Sequence, residues 1–195
     1  MTTPTLARHF AAMAYNNAWA NHRLLAACAT LSQADFVAAR TSFFPSLKAT
    51  LNHNLTVDWY YVDALERSLR DAPPNPDVER FYTPPEPYAD CASLTRAQRD
   101  VDRRLIDLCT ALTDADLARS ITVPRRNGLT EHSAPRLLAH LFQHQIHHRG
   151  QAHAMLAGTA VAPPQLDEFF CTDDAPLRAP DFAALGFTEA MVFGA

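Results

Sequence analysis

The chain has 195 residues, 48% hydrophobic and 19% charged, with four cysteines and a formal net charge of -4. This suits one globular domain spanning 1–195 that buries its core without disulfides, and it excludes a disordered segment. A pI near 6.1 with no Lys/Arg block longer than a pair excludes a nucleic-acid footprint, and no apolar run approaches the ~20 residues of a membrane span.

The first segment, from about Thr5 to Ala29, carries Leu6, Phe10, Met13, Asn17, Ala20, Leu24 and Ala27 at alternating steps of four and three, which predicts an amphipathic helix. Cys28 closes it among apolar residues. With Cys91, Cys109 and Cys171 it forms no C-x-x-C, so the thiols read as small buried hydrophobes in a reducing cytoplasm. The second segment, Pro45 to Leu69, repeats the pattern on Leu47, Leu51, Leu55, Asp58, Val62, Leu65 and Leu69, with one acid inside the stripe. Pro73, Pro74, Pro76, Pro84, Pro85 and Pro87 then rule out a helix interior and predict a long connection.

A third helix is expected from Tyr88 to Leu112 on Leu94, Val101, Leu105, Leu108 and Leu112. Ile121, Val123 and Asn127-Gly128 predict a small hairpin within Ser120 to His132. The fourth helix has Ser133 as N-cap, Pro135 in its first turn and Gly158 as its stop. The Pro-rich remainder reads as irregular over 171–195, with one short helix near Phe182–Met191. Four long helices make an all-α four-helix bundle, a fold that builds its sites from inward-facing side chains.

Five of the nine histidines, His140, His144, His147, His148 and His153, fall in the fourth helix. At about 100° per residue from Leu141, His144 lies near -60° and His148 near -20°, both on the apolar stripe. His147 lies near -120°, outside it, and His140 and His153 fall at its margins. Two core-facing imidazoles one turn apart are either a metal-ligand pair or two core histidines bonded to carbonyls or acids. A third ligand must come from another helix. His53 is the leading candidate, as the only histidine in the second helix, with His9 and His22 in the first as alternatives. By the same geometry His53 lies near 200° from Leu51, opposite the leucine stripe.

The run LLAHLFQHQIHHRGQAHAML, Leu137 to Leu156, resembles the signature helix of the DinB (damage-inducible) family. Its H-x-x-x-H pair running into H-R-G-Q is here His144, His148, Arg149, Gly150 and Gln151. Ser42 to Leu65, with His53 followed five residues on by Asp58, is similar to the family's second helix, and Tyr15, Asn16, Trp19 and Asn21 match its first. The resemblance covers most of Met1 to Phe170. It implies a bundle in up-down-down-up order, usually a homodimer, and a divalent metal, often nickel or zinc, held by His53, His144 and His148. The wider superfamily includes thiol-dependent S-transferases and a mycothiol-dependent maleylpyruvate isomerase. Many members have no assigned reaction.

The expected activity is therefore metal-dependent, with a low-molecular-weight thiol activated for S-transfer or a water for hydrolysis, on a small-molecule substrate the sequence does not name. The competing class is a non-catalytic dimeric metal-binding bundle with a stress-response role. Asp58 reads as an acid that orients a ligand histidine or as one half of an ion pair with Arg149. Arg149 reads as an anchor for an anionic thiol cofactor or as a structural ion-pair partner. A homodimer is also expected from the residues, because Trp19, Val57 and Tyr60 put apolar surface on second faces of the first two helices.

Overall fold

The computed structural model describes residues 5–194. Thr5 caps α1 (Leu6–Cys28) by accepting from the Arg8 amide, and Ser46 caps α3 (Leu47–Leu69) by accepting from Ala49. Asp90 does the same at the Ser93 amide for α4 (Cys91–Ala111). α6 (Ala134–Ala157) starts after Ser133 with proline in its first turn and ends at Gly158. These are the four expected long helices, each within three residues of its expected bounds. Two short helices were not expected: α2 (Gln33–Val37) and α5 (Asp114–Leu117), the latter opened by a Thr113/Asp116 capping box. Both hold too few residues to show a helical period.

The hairpin pairs β1 (Ser120–Arg125) with β2 (Gly128–Ser133) in antiparallel register, Val123 opposite Thr130 and Arg125 opposite Gly128. Gly128 closes the turn at φ 136, a conformation that needs glycine. Pro124 is tolerated in β1 because a two-stranded ribbon leaves every strand with a free edge. β1 lies on α3, where the Tyr60 hydroxyl donates to the Pro124 carbonyl at 2.5 Å.

α1 packs on α4 and α6, and α3 packs on the same two helices from the other side. Leu24, Leu47, Leu55, Leu65, Leu94, Leu105 and Leu138 are fully buried between them. Cys28 and Cys109 are buried as expected, and burial pushes each thiol up to about 12. No helix among the described residues is long and apolar enough to cross a membrane.

The C-terminal stretch departs from expectation. Residues expected to be irregular form α7 (Ala175–Leu185) and α8 (Glu189–Phe193), and the single helix expected across Phe182–Met191 is broken at Gly186, φ 72. The break comes from a left-handed helix end that only glycine adopts cheaply. The tail folds back on α1 and builds a second apolar cluster from Tyr15, Trp19, Phe169, Phe182 and Val192. Trp19 is fully covered there, while Tyr60 is covered by Phe81 and Tyr82. The aromatic surplus that motivated a dimer at these two residues is therefore buried within the chain itself.

Arg23 clamps this tail. Its guanidinium donates to Asp181, to Glu168 and to the carbonyls of Gln165 and Leu177, and it lies 4.4 Å from the Trp19 ring. Arg23→Ala is expected to speed amide exchange across α7 and α8 by at least ~10-fold, equivalent to about 1.4 kcal/mol of local stability, while α3 and α6 keep their protection. Unchanged exchange in α7 would show that the apolar cluster alone holds the tail.

Candidate metal centre

The site lies between α3 and α6. The inward face of α6 carries His144 and His148 at one-turn spacing, as the helical geometry requires. His53 comes from α3 and corrects the reading of that helix. α3 is packed by α4, α6 and β1 on several sides, so its leucine stripe is not its only inward face. The side opposite Leu51 meets α6, and the His53 ring lies 4.9 Å from that of His144 and 4.7 Å from that of His148.

One ring nitrogen from each of His53, His144 and His148 falls within 4.8 Å of the others, and the Nε2 atoms of His53 and His144 are 3.0 Å apart. Donor atoms sharing an ion at 2.0–2.1 Å stand roughly 3–3.4 Å from one another, so the His53–His144 pair stands at ligand spacing and His148 lies within reach of both. His148 is buried and the other two are half-buried. His9 is exposed, and His22 faces Asp181 and Arg99, so neither first-helix alternative joins the cluster. His140 and His147 stand on the exposed rim of α6.

Chemistry agrees with size. Burial, then the neighbouring His148, lowers His53 to about 4. Burial and the surrounding imidazoles lower His144 to about 3. Burial also lowers His148, against the hydrogen bond it donates to Gln151. The rings are therefore neutral at pH 7 with lone pairs free, the state a metal requires. The His148 Nδ1–H donates to Gln151 Oε1 at 2.8 Å, and the Gln151 amide donates to His147 Nε2 at 3.0 Å. This pair of bonds fixes the His148 tautomer and leaves its Nε2 as the free donor. Phe44 roofs the cluster, 4.4 Å from the His53 ring and 5.4 Å from that of His148.

The lowered values set an acid dependence. Unfolded histidine takes its proton near 6.5, whereas these folded rings refuse it until about 4 for His53 and about 3 for His144. Their stability contribution is present above pH 6.5 and is lost as pH falls toward 4. The metal-free protein is expected to lose about 1 kcal/mol per pH unit for each ring in that window, after allowance for partial exposure. His53→Asn and His144→Asn should flatten the profile in chemical denaturation.

Two residues take other roles than those read from sequence. Asp58 orients no histidine. It accepts from Gln98 Nε2 at 2.8 Å and Gln145 Nε2 at 2.7 Å, because its position on α3 faces the interior between the four long helices. Arg149 is buried, its Nη1 donates to the side-chain oxygens of Asn17 and Asn21, and the residue also lines a cavity of about 490 Å³ beside α6. It makes no direct ion pair with Asp58. Asn17, Asn21 and Gln98 all donate to Asp102 and so complete a polar layer joining α1, α3, α4 and α6. Burial is the first cause of each shift there: Asp102 rises to about 6, Asp58 rises well above the carboxylate range, and Arg149 falls to about 10.

Sequence reading missed Gln145, Gln151 and Phe44. Gln151 was legible as the fourth residue of H-R-G-Q, three places after His148, where a helix brings two side chains together. Gln145 ties the two ligand helices by donating to the Asn54 carbonyl at 3.0 Å.

Four long helices around a three-histidine cluster that could hold a metal define a class of helical proteins with a candidate metal site. The family model for the DinB family matches residues 1–179, and the chain belongs to that family. No curated protein matches it.

Proposed function

We propose that this protein is a metal-dependent enzyme in which His53, His144 and His148 hold one divalent transition ion, nickel or zinc being favoured by family membership. The convergence of three neutral imidazole nitrogens is the observation that carries this reading. Bound there, the ion would supply Lewis-acid chemistry at coordination positions the protein leaves open, lowering the pKa of a small thiol for S-transfer or of a water for hydrolysis. The chain's own part is to keep the three rings neutral by burial, to set the His148 lone pair through Gln151, and to shield one side of the cluster with Phe44.

Pairs across the helices support the up-down-down-up order. Leu25 meets Cys91 while Asn21 meets Asp102, so α1 and α4 run in opposite directions. Asp58 meets Gln98 while Glu66 meets Arg104, so α3 and α4 run together. His53 meets His148 while Tyr61 meets His140, so α6 opposes α3.

The test is turnover of a panel of thiols and electrophiles, and of hydrolysable esters and amides, by nickel- and zinc-loaded protein. Turnover that chelation abolishes and reloading restores supports the proposal. Stoichiometric metal with no turnover on either panel would favour the non-catalytic binding protein.

A further inference from the structure

A second cavity, about 480 Å³, lies between the loop following α2 and the C-terminal part of α6. That is within the range of small-molecule sites, roughly 300–1,000 Å³. Arg40, Thr41 and Ser42 line one wall and Gln151, Ala154 and Met155 the other. No carboxylate lines it. Arg40 is half-buried, and its Nη2 donates to the Asp35 carbonyl at 2.8 Å. A cavity wall with one cation, two hydroxyls and no acid has the composition of an oxyanion site.

The loop is held in shape. The Arg40 amide donates to the Pro45 carbonyl at 2.8 Å, which closes residues 40–45 into one turn. That turn sets Arg40, Thr41 and Ser42 against the cavity and Phe44 against the histidines. Gln151 belongs to both places: it lines the cavity and bonds His147 and His148. One glutamine thus separates a cationic cavity from the candidate metal centre.

We propose that this cavity binds the anionic group, a carboxylate or a phosphate, of the small molecule whose other end reaches the histidine cluster. The second half of this statement rests on the metal-site reading; the anion site itself does not. Arg40 supplies the charge, Thr41 and Ser42 supply hydroxyl donors, and the Phe44 roof separates the anionic end from the reacting end.

The experiment is a two-dimensional NMR titration of metal-stripped protein with inorganic phosphate and, separately, acetate. Saturable shifts at residues 40–42 and Gln151 are expected, and the tighter of the two probes identifies the anion class. Arg40→Gln should weaken binding at least ~10-fold, and Arg40→Lys should retain part of it as a point charge. Ser42→Ala offers a milder change should Arg40→Gln fail to fold. His144→Ala, stripped of metal, should bind the anion as the wild type does. Anion binding that requires zinc and survives Arg40→Gln would overturn the proposal and leave the metal reading standing. Arg40-dependent binding in a protein that takes no metal would do the reverse. No saturable shift up to about 50 mM of either probe would also overturn it.

Discussion

His144→Ala and His148→Ala are each expected to end stoichiometric metal binding, and His53→Ala is expected to do the same. Each removes one of three nitrogens that lie within 4.8 Å of one another, and no other described histidine stands close enough to replace it. The loss should exceed the ~10–100-fold that changes behind a ligand typically cause. Gln151→Ala falls in that lower range, since it frees the His148 ring without removing a donor. His147→Ala should stay within about tenfold of the wild type, because His147 gives no nitrogen to the cluster and meets it through Gln151 and an edge contact with the His148 ring. Metal titrations on all five variants rank them. Equal losses for His147→Ala and His144→Ala would mean that the ion sits on the rim of α6 and not between the helices.

Arg149→Ala has the largest expected effect on stability. The guanidinium is the one cation in the layer formed with Asn17, Asn21, Gln98, Asp58 and Asp102. Removing it leaves two buried asparagine oxygens without their donor, at ~1–3 kcal/mol each, and takes the nearby positive charge from Asp58 and Asp102. For a chain of this length, each kcal/mol moves Tm by ~2–4 °C, so a fall of roughly 10 °C is expected. Asp102→Asn added to Arg149→Ala should restore part of it, because asparagine keeps an acceptor for the three donors and carries no charge. A Tm within 2 °C of wild type for Arg149→Ala alone would show that solvent reaches the layer.

Helical periodicity placed α1, α3, α4 and α6 and separated His144 and His148 from His147, because α6 has a single apolar stripe. It failed at His53 for a physical reason: α3 is packed on several sides, and a helix with more than one buried face has no single inward direction. His53 led the candidates as the only histidine of the second helix, and the resemblance of Ser42–Leu65 to the family pattern overrode its unfavourable face. The Asn17 and Asn21 partners of Arg149 were not legible, because they come from another helix and no spacing along α6 reveals them. The tail was misread because proline suggested irregularity, yet α7 takes one proline in its first turn, where no amide partner is lost, and accommodates Pro180 in its interior. Phe44 and Arg40 carry no periodic signal at all; their roles follow from the turn that the Arg40–Pro45 bond closes.

A crystal of zinc-loaded protein, measured on both sides of the zinc absorption edge, tests the central claim most directly. One anomalous peak per chain is expected between α3 and α6, about 2.0–2.1 Å from a ring nitrogen of each of His53, His144 and His148. The other described group with metal-ligand character, Cys171, Asp173 and Asp174, is largely exposed on the tail. A peak there with none between the helices would contradict the account.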